Sequence, residues 1–239
     1  MPVTIKSARE IELMAEAGRI LEIVHNELRD ALHAGMSTLD IDRLGEEIIR
    51  SYDCIPSFLN YNGYPASICV SLNQEVVHGI PDKHRLIQDG DIVSLDAGLI
   101  HEGYHSDAAR THAVGEVSEE AKKLIQVTKE CFFEGIKYAK AGNHLFDISG
   151  AIGRYAEERG YGVVRDLCGH GIGTALHEAP EIPNYEVGRK GVKLRPGMTL
   201  AIEPMINIGT HEVDWLDDDW TVVTRDGSLS AHYENTILI

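Results

Sequence analysis

The chain of 239 residues carries 38 acidic residues against 22 lysines and arginines, which gives a formal charge of −16. Its length and its 43% hydrophobic content suit a globular protein that buries a sizeable core. The acidic surplus disfavours binding to a nucleic-acid backbone or to anionic lipid, and it favours a small cationic partner such as a metal ion or an amine.

The N-terminal sequence predicts a cytoplasmic protein. No segment approaches the roughly 20 apolar residues that a membrane-spanning helix needs, and residues 1–6 lack an apolar signal region. The four cysteines are scattered without a C-x-x-C pair, which disfavours a disulfide framework or a zinc knuckle. We expect Cys54, Cys131 and Cys168 to be buried, reduced thiols.

The spacing of apolar residues predicts four helices in two pairs. A capping box of Ser7 and Glu10 marks the start of the first helix, and Gly160 marks the end of the last. The predicted helices span residues 8–32, 38–50, 118–140 and 144–159. Strand-like runs lie between and after the pairs, at residues 67–72, 91–98, 104–114, 162–167, 198–206, 220–224 and 231–239.

An internal repeat relates the two helix pairs at an offset of 107 residues. Ala34-Gly35 and Ala141-Gly142 are each followed by Asp-Ile five residues later. The run GDIVSLD, which ends at Asp96, matches GMTLAIE, which ends at Glu203. Two separate matches at one offset indicate two similar halves, each with two helices followed by strands that include a hairpin.

The repeat predicts an α+β fold. In it, a pseudo-twofold pair of helix-helix-strand halves forms a curved, mostly antiparallel sheet with helices on one face. We expect one domain over residues 1–239, with halves of about 1–115 and 116–239.

Each half continues to a second acidic residue with a histidine two positions before it. These are Asp107 after His105 and Glu234 after His232, at an offset of 127. The larger offset indicates about 20 extra residues in the second half. We expect the acidic run Asp217–Asp219 within them to be a solvated loop, and we expect ordinary structural roles for His105 and His232.

Four carboxylates interrupt the strand pattern at repeat-related positions. Asp96 and Glu203 end apolar runs, while Asp107 and Glu234 lie within strand-like segments. A carboxylate in an apolar strand is costly unless it is paired or bound to a cation. Two unit charges 4 Å apart repel by about 4 kcal/mol at an effective dielectric of 20, so a cluster of four requires cations or shared protons.

His170 is the histidine that has no equivalent in the first half. It lies in the segment GHGIG, whose glycines allow backbone or ligand to approach closely. Oxygen-rich sites suit divalent ions such as Mn²⁺, Fe²⁺, Co²⁺ or Zn²⁺. Four carboxylates and one imidazole would form a dinuclear site in which two metal ions activate a water molecule.

These residues carry a resemblance to a known family. The five ligand types in order, with GHGIG around His170 and IEP around Glu203, resemble the type I methionine aminopeptidases of the pita-bread fold. The resemblance covers essentially the whole chain. It implies a single catalytic domain in a cytoplasmic enzyme that removes the initiator methionine from nascent proteins when the second residue is small. The short interval between His177 and Glu203 leaves no room for the large helical insertion of type II enzymes. We expect the short bacterial form, in which no segment precedes the catalytic domain.

The resemblance also implies roles for the five ligands. Asp107 and Glu234 would bridge two divalent ions, which are Co, Mn, Fe or Zn. Asp96 would complete one metal site, and His170 with Glu203 would complete the other. Glu203 would also move a proton from the attacking water to the leaving amine.

The family's substrate contacts map onto further positions. His177 matches the histidine that contacts the scissile amide, and His78 matches the one that orients the substrate. Leu176 stands where many relatives have an aromatic residue, and Phe58 stands where many have a small one. The methionine pocket corresponds to Tyr61, Tyr64, Cys69, Trp220, Phe58 and Leu176.

The implied partner is the N-terminal methionine of a nascent peptide. We expect a monomer that binds neither nucleic acid nor membrane, and ribosome association stays open because no basic patch stands out. Three other functions would each leave a different signature in the sequence. His105-Ser106-Asp107 with a later histidine fits an iron oxygenase, which expects a nearly all-β barrel. A creatinase or proline-specific peptidase expects an additional N-terminal domain, and a non-catalytic binding module expects lost metal ligands.

Overall fold

The backbone repeats itself at the offset that the sequence predicts. In the computed structural model, which describes residues 3–239, the second helix of each pair begins at Thr38 and Leu145. A central strand of each half begins at Ile92 and Thr199, so both pairs lie 107 residues apart. Isolated β-bridges recur at the same offset, between Ser37 and Leu86 and between His144 and Lys193.

The four helices lie close to their predicted positions. Ser7 and Glu10 form the predicted capping box, in which the Ser7 N–H donates to the Glu10 carboxylate at 2.7 Å. The third helix ends at Ile136 rather than residue 140, because i→i−3 hydrogen bonds turn the chain toward Gly142, whose φ is +99°. The helices are α1 (Ala8–Ala31), α2 (Thr38–Ser51), α3 (Glu119–Ile136) and α4 (Leu145–Glu157).

Most strands of the described residues belong to one antiparallel sheet. The strands are β1 (Ile55–Pro56), β2 (Ile68–Leu72), β3 (Glu75–Val77), β4 (Ile92–His101), β5 (Tyr104–Ala113), β6 (Gly162–Val163), β7 (Gly169–Gly171), β8 (Glu178–Ile182), β9 (Thr199–Ile202), β10 (Met205–Asn207), β11 (Val213–Trp215), β12 (Val222–Thr224) and β13 (Ser230–Leu238). Ten form a sheet with the order β1-β4-β5-β13-β9-β7-β8. β2 pairs with β4, and β10 joins β13 to β6. β11, β12 and β3 form a smaller sheet.

The predicted run at 198–206 is two strands rather than one. β9 and β10 are separated by Glu203-Pro204, and proline cannot donate a hydrogen bond to a strand ladder. The Pro204 carbonyl instead accepts a hydrogen bond from the Tyr233 N–H. This break turns Glu203 out of the regular strand.

The extra residues of the second half include a hairpin. It consists of β11 and β12, and the exposed Asp217–Asp219 form the predicted solvated loop between them. Asp218 caps this loop by accepting hydrogen bonds from the N–H groups of Trp220 and Thr221. The insertion therefore has a defined shape that fixes where Trp220 lies.

Each half has its own apolar core. In the first half, Leu21 and Leu28 of α1 and Ile49 of α2 pack beneath β2, β4 and β5. In the second half, Leu124 of α3 and Ile148 of α4 lie in the cluster that underlies β9, β10 and β13. The α+β, pseudo-twofold architecture predicted from the repeat is confirmed.

Three of the four cysteines are buried, and none forms a disulfide among the described residues. Cys54 and Cys131 are buried as expected, but the expectation for Cys168 is wrong. Cys168 is half-buried because it lies in the connection that leads into β7. Residues 3–239 contain no helix of sufficient length and apolarity to traverse a bilayer.

His25 makes the folded protein sensitive to acid. The ring is buried, its Nε2 lies 2.8 Å from the Ala108 carbonyl oxygen, and burial beside Arg110 lowers the pKa of His25 to about 3. An unfolded histidine has a pKa of about 6.5, so the unfolded state binds one more proton between these values. Stability contributed by the neutral ring is present above pH 6.5 and falls as the pH is lowered toward 3.

We therefore expect His25→Gln to flatten the acid side of the stability profile. Glutamine keeps a donor for the Ala108 carbonyl but does not titrate. The slope of unfolding free energy against pH should fall by about 1.4 kcal/mol per pH unit near pH 5, measured by urea unfolding. His33→Gln, at an exposed position, is the control. An unchanged slope in His25→Gln would contradict this account.

Candidate metal centre and adjoining pocket

The β4–β5 hairpin brings two of the carboxylates together. In its register Asp96 lies opposite Ala109, and Gly98 lies opposite Asp107. Opposed residues of an antiparallel pair point to the same face, and side chains alternate along a strand. Asp96 and Asp107 therefore share one face, and Glu234 joins them because it lies opposite Ala109 from the other side.

His170 and Glu203 reach the same place from the second half. His170 on β7 lies opposite Ala201 of β9, and Glu203 directly follows β9. The His170 Nε2 lies 3.5 Å from a Glu203 carboxylate oxygen and 4.0 Å from one of Asp107. The four repeat-related carboxylates and His170 thus converge where the two halves meet.

The glycines beside His170 allow strands to approach closely. A Cβ atom at Gly171 would lie 2.2 Å from the Ala179 carbonyl oxygen, and one at Gly169 would lie 2.4 Å from that of Ala201. Neither distance is compatible with a side chain unless the backbone moves. The glycines therefore serve the packing of β7 between β8 and β9, which fixes the position of the imidazole.

Burial and mutual repulsion control the protonation of the carboxyl groups. Burial raises the pKa of Asp107 to about 7. It also raises the pKa values of Asp96, Glu203 and Glu234 well above their usual range, and repulsion from Asp107 adds to this rise. Arg110, which donates a hydrogen bond to the Glu234 carbonyl oxygen, opposes the rise of the Glu234 pKa.

Unpartnered atoms in this cluster fit a bound cation. Carboxylate oxygens of Asp96, Asp107 and Glu234 are buried without a hydrogen-bond partner in residues 3–239, whereas buried polar atoms of proteins nearly always have one. Ligand atoms of Asp107, His170 and Glu234 lie within 4.8 Å of one another. Those of Asp96, His232 and Glu234 do the same. Carboxylate oxygens with imidazole nitrogens suit divalent transition-metal ions.

His232 lies inside the cluster, although the sequence led us to expect an ordinary structural role. Its Nε2 lies 3.7 Å from a Glu234 carboxylate oxygen and 3.9 Å from one of Glu203. Burial lowers the pKa of His232 to about 3, so its ring is neutral. Its spacing of two residues from Glu234, which places both on one face of a strand, was the available signal. His105 differs, because its Nδ1 pairs with the Ser57 hydroxyl at 2.9 Å.

A cavity of about 190 Å³ opens onto the cluster. Its lining includes every residue that the sequence assigned to the site and one that it missed, Asn62. The lining residues are Phe58, Tyr61, Asn62, Tyr64, Cys69, His78, Asp96, Asp107, His170, Leu176, His177, Glu203, Trp220 and Glu234. Asn62 is exposed in a 3₁₀ turn, and the dipeptide Asn62-Gly63 was the turn signal that could have found it.

The inner wall of the cavity combines aromatic rings with sulfur. The Tyr64 ring meets Trp220 edge-on, with centroids 5.1 Å apart, and its hydroxyl donates to the Gly79 carbonyl oxygen at 3.1 Å. Cys69 lies opposite Asp96 in the β2–β4 register, so the sulfur is adjacent to the metal cluster. Burial and Asp96 raise the pKa of Cys69 well above its usual range, which keeps it a thiol. Such a wall suits an apolar, polarizable ligand group.

Two histidines stand between the pocket and the cluster. His177 is exposed, its Nδ1 pairs with the Tyr61 hydroxyl at 2.7 Å, and its ring lies 4.2 Å from that of His170. His78 packs edge-on against Trp220 and has a φ of +60°, a conformation that non-glycine residues adopt at a cost. Burial lowers the pKa of His78 to about 4, so it is neutral at pH 7.

Comparison with known proteins identifies the family of this chain. The model for metallopeptidase family M24 matches residues 12–239. The chain belongs to metallopeptidase family M24. Over 237 residues it is 56% identical to a methionine aminopeptidase of Clostridium acetobutylicum, covering 99% of this chain and 95% of that protein. It is 48% identical to methionine aminopeptidase 1 of Bacillus subtilis, with the same coverage.

Solved structures of other peptidases share the fold. A methionine aminopeptidase from Thermotoga maritima superposes with a TM-score of 0.97 at 45% identity, over 100% of this chain and 96% of that one. An Xaa-Pro dipeptidase from Bacillus anthracis gives 0.77 at 26% identity, over 98% of this chain and 59% of that one. The resemblance to type I methionine aminopeptidases and the pita-bread fold are confirmed. The four α-helices of residues 3–239 contradict the nearly all-β barrel expected of an iron oxygenase.

We expect Gly171→Ala to disrupt the M24 site through the backbone. Its Cβ would collide with the Ala179 carbonyl oxygen, so the unfolding free energy should fall by about 2 kcal/mol or more in urea titrations. Gly18→Ala is the control. Gly18 lies in α1, and a Cβ atom there would be 3.7 Å from the Ser106 hydroxyl, an ordinary van der Waals contact. Equal urea midpoints for Gly171→Ala and wild type would refute the packing argument.

Proposed function

We propose that the protein removes the N-terminal methionine from nascent peptides when the second residue is small. The observation that carries this proposal is one cavity with two chemistries, a carboxylate–imidazole cluster on one side and an aromatic, sulfur-containing wall on the other. The names of the M24 relatives agree with it. We further propose one catalytic domain over residues 1–239, acting as a cytoplasmic monomer.

The ligands for two divalent ions are assigned by this proposal. Asp107 and Glu234 would contribute ligands to both ions, Asp96 would serve one of them, and His170 with Glu203 would serve the other. When bound, Co²⁺, Mn²⁺, Fe²⁺ or Zn²⁺ would polarise the scissile carbonyl group and lower the pKa of a water molecule. The support is the convergence of these ligand atoms and their unpartnered buried oxygens.

Glu203 is the group proposed to move the proton. Its carboxylate takes a proton from the attacking water and donates it to the departing amine. Three features support this role. Glu203 is only partly buried, lines the cavity, and has a raised pKa that brings proton uptake closer to neutral pH.

The neutral histidines orient the peptide. The Nδ1 of His177 is hydrogen-bonded to the Tyr61 hydroxyl, so its Nε2 is the atom that contacts the scissile amide. His78, held in its strained backbone conformation beside Trp220, donates or accepts a hydrogen bond at the substrate. Both rings act without carrying charge into a site that already holds several charged groups.

The methionine side chain fits the wall formed by Tyr64, Cys69 and Trp220, with Phe58 and Leu176 filling the remaining space. A thioether sulfur interacts favourably with aromatic rings, by about 0.3–1.5 kcal/mol per contact. The side of the cavity formed by the partly buried Tyr61 and the exposed His177 is left for the second residue.

We expect His170→Ala and Glu203→Ala each to abolish cleavage of the peptide Met-Ala-Ser without unfolding the protein. The first loses a metal ligand, and the second loses both a ligand and the proton carrier. Release of methionine measures the activity, and the far-ultraviolet circular dichroism spectrum checks that each variant remains folded. His112→Ala is the control, because His112 points to the opposite face of β5 and should retain activity. Full activity of His170→Ala or Glu203→Ala after chelation would refute the proposal.

A Met-X-Ser series tests substrate and metal together. After chelation, activity should vanish, and it should return when a single divalent ion is added back. Peptides with Gly, Ala or Ser as X should be cleaved, whereas large X side chains should prevent cleavage. Hydrolysis of Xaa-Pro dipeptides instead would favour the proline-specific alternative.

We expect Trp220→Leu to weaken recognition of methionine in particular. Losing one aromatic face should reduce kcat/KM for Met-Ala-Ser by on the order of tenfold, and reduce the preference for methionine over norleucine. Trp215→Leu is the matched control, because Trp215 belongs to the same hairpin but is exposed. If both substitutions had equal effects, Trp220 would not be part of the methionine pocket.

A further inference from the structure

His232 is held in place by its backbone, next to the cluster. Its N–H donates to the Thr111 hydroxyl at 2.8 Å, and its carbonyl oxygen accepts from the same hydroxyl at 2.9 Å. It lies two positions before Glu234 on β13, so both side chains point to one face of the sheet. The position of the ring is therefore set by the strand rather than by a flexible loop.

The ring of His232 is buried with two unsatisfied nitrogens. The side chain is 1% exposed, and neither Nδ1 nor Nε2 has a hydrogen-bond partner in the part of the chain that the structure describes. A buried polar atom left unpaired costs about 1–3 kcal/mol. His25, which is also buried, uses its Nε2 against a backbone carbonyl group, whereas His232 has no such partner among residues 3–239.

The distances around Nε2 are too long for hydrogen bonds, and the distance to Glu234 matches two ligands of one metal ion. Glu234 and Glu203 oxygens lie at 3.7 and 3.9 Å, beyond the roughly 3.2 Å of an N–H···O bond. Two ligands each about 2.1 Å from one ion are separated by roughly 3–4 Å. Ligand atoms of Asp96, His232 and Glu234 all lie within 4.8 Å of one another.

We propose that His232 is a metal ligand, in a trio with Asp96 and Glu234 that complements the trio of Asp107, His170 and Glu234. This inference rests on the proposed metal site, and it adds a second imidazole to the five ligands that the family resemblance implies. Each ion then has one imidazole nitrogen and at least two carboxylates. A nitrogen ligand on each ion shifts the site from purely hard oxygen donors toward borderline transition metals.

X-ray absorption on wild-type protein loaded with two equivalents of Co²⁺ tests the proposal without any substitution. One imidazole per metal ion is expected, because both ions have a histidine ligand. An average of one half imidazole per ion would overturn the role of His232 while leaving the metal site in place. Absence of any bound Co²⁺ would instead overturn the proposed metal site itself.

Proton NMR of the Co²⁺-loaded protein identifies the residue. Each coordinated imidazole carries one exchangeable N–H proton whose resonance is strongly shifted by the paramagnetic ion. We expect two such signals in the wild type and one in His232→Gln, while His112→Gln should retain both. Calorimetry should show one metal-binding step weakened by on the order of tenfold or more in His232→Gln. Two retained signals and unchanged affinities would overturn the assignment.

Discussion

The structure depends on confining four carboxyl groups in one buried cluster. Desolvation raises the pKa values of Asp96, Asp107, Glu203 and Glu234, and repulsion from neighbouring carboxylates adds to the rise for all but Asp107, so the cluster is unfavourable unless protons or cations neutralise it. The cluster is carried by paired strands, whose backbone hydrogen bonds and underlying apolar cores resist separation of the charges.

The pseudo-twofold architecture explains where this cluster lies. Two similar halves contribute matched acidic residues from matched strands, and the halves meet where β5 pairs with β13. The pocket beside the cluster does not follow this symmetry. Its wall comes from the Phe58–Cys69 segment of the first half and from Trp220, which belongs to the insertion found only in the second half. The shared cluster therefore provides the chemistry, and the asymmetric elements provide a place for the substrate.

Local patterns predicted much of this arrangement. The repeat identified both helix pairs, the β4–β5 hairpin and the matched positions of Asp96 and Glu203, because periodicity and turn residues are properties of short segments. The break after Glu203 was missed, since an apolar run does not reveal that its continuation pairs with a different strand. Short strands such as β7 and β8 were missed for a related reason, because their pairing depends on partners far away in the chain.

The sequence by itself determined the ligand types, their order and the existence of two similar halves. Only the tertiary structure decided which side chains share a cavity. It placed Asn62 in the lining and His232 against Glu234 and Glu203, and it left Cys168 half-buried. The physical reason is that alternation along a strand fixes the face of a side chain, whereas its neighbours depend on register. The register of β13 against β5 joins residues more than 120 positions apart, and no local pattern encodes it.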